Sequence, residues 1–289
     1  MSKNIGMKLS LVLPTALEYF ASLVQSDAEF PLLEAAASLA QDEYPDLDVG
    51  QVLADVDQLA VRLRRRLPAD AGALQKLRLL NQFFFQDLGF AGNVNDFHDP
   101  DNSYLNVVLR TRRAIPISLA VLWLELAQGL GLAARGIAFP GHFMLKVNLP
   151  NGQVVIDPMD GQSLSHEGLL ERLEPYRDSV AMADASEPPL GLFLQAASPR
   201  DIVTRMLRNL KEIHTSQKDW PRLIAVQERL IVLQPLAWTE YRDRGLAHAA
   251  QGNFRPALAD LEIYLAQAQG VDDRGAIAWR VAEMKRSTL

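Results

Sequence analysis

The sequence predicts an α+β protein in four stretches: a helical N-terminal region over residues 1–92, a mixed α+β core over 93–182, a linker over 183–200 and an all-α region of helical repeats over 201–289. Three observations carry this reading. Apolar side chains recur at helical spacing from residue 14 to about residue 88. After Leu130 the pattern shortens to strand-length runs separated by turn residues. Beyond Arg200, residues 34 positions apart match one another.

Composition narrows the classes further. The chain has 289 residues, 48% of them hydrophobic and 22% charged, which supplies a sizeable core and excludes global disorder. It contains no cysteine, so disulfides, thiolate metal sites and a cysteine nucleophile are all excluded. The longest apolar run, Ile115 to Leu124, is interrupted by Pro116 and Ser118, and it falls short of the ~18 residues a membrane span needs. Near the start, Lys3 and Lys8 precede an apolar run from Leu9 to Leu17 that has the outline of an export signal. Glu18 closes that run and no small-x-small cleavage site follows, so an amphipathic helix of a cytoplasmic protein is expected.

The net charge of −6 argues against nucleic acid as a partner. Residues 201–289 hold 13 basic against 11 acidic side chains, and residues 1–200 hold 16 against 24, so neither part is a strong polyelectrolyte. Arg62, Arg64, Arg65 and Arg66 form the one dense basic cluster, read as a solvated helix face.

In order along the chain, Val52, Val56, Leu59 and Leu63 mark one helix face, and Leu74, Leu77, Leu80, Phe84 and Leu88 mark the next. Gly89 and Gly92 end that region, and Asn93 to Ser103 is a polar loop. A helix from Ser103 to Arg112 follows, with Asn102 or Ser103 as its cap. Ile117 to Leu130 is apolar nearly all round, so it is expected to run buried through a domain, with Pro116 at its first turn. Arg135–Phe139 reads as a strand. Phe143–Asn148 and Gln153–Asp157 read as a hairpin around Leu149-Pro-Asn-Gly152.

Candidate chemistry centres on His142 and Asp157. A turn centred on Pro150 puts them within one position of facing each other, with Cβ atoms about 5–6 Å apart. A carboxylate holding an imidazole is the base half of an acyl-transfer triad. Two other readings stand beside it: Asp157 before Pro158 is ordinary turn chemistry, and His142 after Gly141 can face solvent. A nucleophile would belong at the start of the buried helix, where the helix dipole lowers a thiol pKa and backbone amides hold an oxyanion. Pro116 occupies that seat with neither a nucleophile nor an amide proton. Ser118 lies two residues on, about 200° around the helix, and is a weak substitute. No metal or cofactor site is expected. Asp96, His98, Asp99 and Asp101 lack calcium-loop or zinc spacing and read as turn and cap, and Gly129-Leu-Gly131 closes a helix where a phosphate loop would open one.

The repeats align Leu207 with Tyr241, His214 with His248, Trp220 with Phe254, Leu223 with Ala257 and Leu230 with Tyr264. This resembles the tetratricopeptide helix–turn–helix, with Gly245 at the usual glycine and Lys211 in its place in the first copy. Two such repeats bury their own face poorly, so they are expected to lean on the middle domain.

Arg113-Ala-Ile-Pro-Ile-Ser-Leu, Leu130-Gly-Leu, Phe139-Pro-Gly-His-Phe-Met-Leu and Ile156-Asp-Pro-Met-Asp-Gly, with Asp99-Pro-Asp-Asn-Ser-Tyr-Leu-Asn106, resemble the bacterial SirB-type proteins. That family joins a transglutaminase-like, papain-like α+β core to C-terminal tetratricopeptide repeats. The resemblance implies a Cys–His–Asp triad, whose cysteine falls on Pro116, histidine on His142 and aspartate on Asp157; Ala114 also replaces a usual glycine. The expectation is therefore a non-catalytic interaction or regulatory module that takes a protein or peptide on its helical repeats. The alternative is a hydrolase or acyltransferase acting on an amide or ester through the His142–Asp157 dyad.

Overall fold

A computed structural model describes residues 14–176 and 190–287. Most of the apolar run near the N-terminus, and residues 177–189 at the expected end of the core and start of the linker, lie outside the described residues.

Local chemistry sets the first helices. α1 (Ala16–Leu23) opens on a capping box in which Thr15 and Glu18 bond reciprocally. Glu18, the residue that closes the apolar run, is thus part of a helix start. α2 (Leu32–Ser38) is nearly all small or apolar and is buried along most of its length. α3 (Val49–Arg64), capped by Asp48, buries Val52, Val56, Leu59 and Leu63 on one face. α4 (Ala73–Asn81) runs into a π-helical turn over Gln82–Asp87 that buries Phe83 and Phe84.

β1 (Ala91–Gly92) and β2 (Arg113–Ala114) then pair in parallel across α5 (Leu105–Thr111). The expected cap of α5 is corrected. Tyr104 stands at its N-cap without a side-chain bond, because a 3-10 turn over Pro100–Ser103, capped by Asp99, comes between the loop and the helix. Asn102 instead ties the loop together, donating to the Asp96 carbonyl at 2.7 Å and accepting from Asn93 at 3.0 Å.

α6 (Pro116–Gly129) is the central helix, with most of its residues buried on every side. Trp123 is fully buried and donates its indole N–H to Asn81 at 3.0 Å. Against it lies an antiparallel sheet of β3 (Ala134–Ile137), β4 (Met144–Leu149), β5 (Gly152–Ile156) and β6 (Ser163–Leu164), in that order. The hairpin register differs by one from expectation. Leu149 pairs with Gly152 around a two-residue turn on Pro150 and Asn151, and Gly152 takes the positive φ of 140° that starts β5. α7 (His166–Leu173) and α8 (Leu190–Phe193) cover the other sheet face, where Leu169, Leu173, Leu190 and Leu194 pack on Ile137, Phe139, Met144 and Val155. Residues just after α8 extend the sheet edge, with Ala196 bridging to Ile137 and Ala197 donating to Gly136 at 2.9 Å.

Five helices complete the chain: α9 (Pro199–Gln217), α10 (Trp220–Leu233), α11 (Trp238–Ala250), α12 (Phe254–Gln267) and α13 (Arg274–Ser287). The first pair leans on the core. Ile202, Met206, Leu207, Leu210, Val226 and Leu230 belong to the same apolar cluster as α1–α6 and the inner sheet face. α12 and α13 form a cluster of their own around Leu261, Tyr264 and Ile277.

Gly245 explains how closely α11 and α12 approach: a Cβ there would lie 2.8 Å from Leu261 Cγ and 3.1 Å from the Ala257 carbonyl. Gly245→Val is therefore expected to destabilise the repeat by about 2–3 kcal/mol through overpacking against a backbone atom. Urea unfolding followed by circular dichroism tests this, and a variant as stable as wild type would show that α11 and α12 do not pack this tightly. Lys211, at the matching position of the first repeat, instead reaches Glu240 at 2.6 Å and Asp243 at 2.7 Å.

Candidate active site

His142 stands in the turn between β3 and β4, its amide donating to the Phe139 carbonyl at 3.1 Å. Gly141 before it has φ +66°, and a Cβ there would coincide with the Tyr176 hydroxyl, so the turn accepts only glycine. Asp157 directly follows β5, in a tight turn where its amide donates to Gln162 at 2.9 Å and its carbonyl accepts from Gly161 at 2.8 Å. The two side chains meet: His142 Nε2 and Asp157 Oδ1 are 2.9 Å apart. They are not opposite each other in the ladder, because β4 starts only at Met144. Contact arises where the chain leaves the strands on both sides.

Arg172 on α7 completes the arrangement, 2.8 Å from Asp157 Oδ2. The Met159 amide donates to Oδ1 at 2.9 Å. The Asp157 side chain is only 5% exposed. Burial pulls its carboxyl upward, but the bonds from His142 and Met159 and the Arg172 charge outweigh it and hold the group below the usual carboxylate range. An ionised carboxylate can only accept, so Nε2 carries the shared proton and Nδ1 is the ring nitrogen left for chemistry.

The head of α6 is tied to this turn through backbone. Gly92 donates to the Met159 carbonyl at 2.9 Å and Asn93 to the Ala114 carbonyl at 2.9 Å, two residues before Pro116. A Cβ on Gly92 would overlap the end of the Met159 side chain, which would have to turn aside. Pro116 is buried at the first turn of α6, and Ile115 caps the helix with no side-chain bond. Ser118 is fully buried, and its Oγ has no hydrogen-bond partner, His142 included. Among the described residues, then, the structure joins His142, Asp157 and Arg172, links the segment before α6 to the Asp157 turn through Gly92 and Asn93, and leaves Ser118 unconnected to them.

The other singled-out residues have structural places. Asp99 caps a turn and Asp101 accepts from the Tyr44 hydroxyl at 2.6 Å. Arg62 and Arg66 lie over the Phe83 ring, and Arg66 also pairs with Asp87. His214 is buried against the core, and burial lowers its pKa. His166 is the first residue of α7.

Comparison with known proteins follows the same division. A family model described as the transglutaminase-like superfamily matches residues 50–208, over half of the chain, and a tetratricopeptide-repeat model matches residues 210–284. A UPF0162 protein of Xylella fastidiosa (strain Temecula1) is 37% identical over 83% of this chain and 84% of its own length. The chain belongs to the UPF0162 family of transglutaminase-like proteins. Other UPF0162 proteins extend the likeness: one from Pseudomonas aeruginosa is 29% identical over 74% of this chain and 76% of its own, and YchA of Escherichia coli K12 is 27% identical over 84% and 89%. A solved structure of menin overlays at a TM-score of 0.40 with 11% identity, covering 86% of this chain and 68% of that one.

In this UPF0162 chain the transglutaminase-like match contains the dyad, Arg172, Pro116 and the first half of α9. Arg172 is the residue that sequence reasoning missed. It follows Asp157 by 15 positions with no motif between them, and only the return of α7 onto the sheet brings it into contact.

Proposed function

We propose that this UPF0162 protein is a non-catalytic, cytoplasmic interaction or regulatory module built on a disarmed transglutaminase-like site. One observation supports the reading: buried Pro116 stands at the head of α6, the position on which the family resemblance puts the attacking cysteine, while His142 and Asp157 are in contact. Proline offers neither a nucleophile nor an amide proton for an oxyanion. The retained pair, fastened by Arg172, serves the sheet and its turn. The surface that engages a protein or peptide partner is assigned to the helical repeats, above all α11–α13, whose core is largely their own.

A turnover assay on ester and glutamine-donor substrates tests this with wild type, His142→Ala and Pro116→Cys. Wild type is expected to match buffer. Pro116→Cys is expected to gain weak turnover that His142→Ala abolishes, since a thiol at a helix start beside an imidazole is activated. Wild-type turnover lost in His142→Ala would overturn the proposal in favour of a hydrolase or acyltransferase, the reading that the intact dyad favours. For the partner surface, truncation after Gln234 keeps α9 and α10, which complete the core. A partner that still binds the truncated chain does not use α11–α13.

A further inference from the structure

A cavity lies at the far end of α6, about 14 Å along the helix from Pro116 at 1.5 Å per residue. Its volume is about 940 Å³, and neither Pro116 nor any of His142, Asp157 and Arg172 lines it. It opens between α2, α3, the tail of α6 and the start of β3, next to the first turn of α9. Volumes of this size are typical of small-molecule sites.

Its walls are mixed, and their apolar part is incompletely covered. Phe30, Leu32, Leu53 and Leu124 line it, and all are only partly buried, whereas Leu122, Trp123 and Leu126 of the same α6 are fully packed. Its lining carries more acid than base. Glu34, Asp57 and Glu125 stand against Arg135, and the Arg200 guanidinium, 5.5 Å from the Phe30 ring, is paired with Asp27. Glu34 is already engaged by the Tyr19 hydroxyl at 2.5 Å, and the Arg135 guanidinium turns back to the Ala134 carbonyl at 2.8 Å. Glu125 is different. Among the described residues none is recorded bonding or pairing with it; burial, and then the like charge of Asp57, push its carboxyl upward. Half-buried Glu125, next to the exposed carboxylate of Asp57 and against partly covered apolar side chains, leaves charge that a cation would relieve.

We propose that this cleft is a ligand site for a small organic cation, a primary ammonium on an apolar body, with the ammonium at Glu125 and Asp57 and the body on Phe30, Leu32, Leu53 and Leu124. The carboxylates select the charge, and the apolar walls select what carries it. The site is independent of the dyad and of any turnover.

Isothermal titration of the full chain with phenylbutylamine, phenylbutanol and phenylbutyrate tests the assignment, because the three probes share one apolar body. The amine is expected to bind about tenfold more tightly than the alcohol, the equivalent of ~1.4 kcal/mol, and the acid more weakly than either. The preference should shrink as salt rises. In Glu125→Gln/Asp57→Asn the amine is expected to fall to the affinity of the alcohol, while the affinity for the alcohol itself stays unchanged and so reports an intact cleft. Leu124→Ala should weaken amine and alcohol alike. Equal binding of amine and acid, full amine affinity in the double variant, or no heat from any probe would each overturn the proposal.

Discussion

Asp157→Ala is expected to lower the stability of the chain by about 2–4 kcal/mol, the range for removing the acceptor from a buried, hydrogen-bonded charge pair. The residue is 3% exposed and accepts from His142, Met159 and Arg172. Removing it strands three donors at the edge of the sheet. The Arg172 side chain, 40% exposed, can turn to water; the Met159 amide and the His142 ring have less freedom to do so. Asp157→Asn keeps the shape and one acceptor, and is expected to cost about half as much. The pH dependence has a definite sign. The native carboxyl is held below its ordinary value, so its contribution is fully present above the unfolded value of ~3.9 and is lost as pH falls through the lowered native value. Urea unfolding at neutral pH and again near pH ~3 should therefore show the gap between wild type and Asp157→Asn narrowing in acid. A wild type no more stable than Asp157→Ala at neutral pH would mean that the three bonds do not support the turn.

Arg229→Ala is expected to cost about 3 kcal/mol, at the low end for a broken buried ion pair. Arg229 is 1% exposed on α10, and it grips Asp42 through two nitrogens at 2.7 and 2.9 Å. Its guanidinium also lies 5.0 Å from the Phe20 ring centroid on α1. One side chain thus fastens the first repeat to the N-terminal helices. Asp42 is 34% exposed and regains water when the arginine is lost, which keeps the cost from running higher. Arg229→Lys keeps the charge but loses the planar fork, so it should recover little. A double-mutant cycle with Asp42→Ala isolates the pair term, and a coupling near zero would reassign the stability to the arginine's packing alone. Amide exchange around Phe20 should quicken in Arg229→Ala if α1 depends on this grip.

Much of this architecture is legible in the residues because it rests on local rules. The near-total apolarity of Ile117–Leu130 demands a buried helix, and α6 is one. The repeat period of 34 marks the tetratricopeptide-like region, which the family match covers. Contact between His142 and Asp157 follows from their flanking one hairpin, although the actual register differs by one because Pro150 and Asn151 share the turn. What stayed hidden depends on tertiary placement. Arg172 reaches Asp157 only because α7 returns to the sheet. The passage of Gly92 along Met159 joins segments that no sequence spacing relates. Tyr104 at the α5 start reflects competition, since the 3-10 turn before it uses the polar residues that would have made a cap.

The sharing of one core between α1–α6 and α9–α10 has a consequence for how the chain comes to be folded. A ribosome releases the N-terminal part first, and domains generally fold in that order as they emerge. Here the innermost cluster is unfinished until Ile202 to Leu233 have been made, and the Arg229–Asp42 bond closes a separation of 187 positions. The nascent chain must therefore hold α6 with one flank uncovered from the time Gly129 is added until Leu233 has been made. Closure on such distant contacts is slow, which makes the interval before α10 emerges the period when the growing chain is most open to aggregation or to a chaperone.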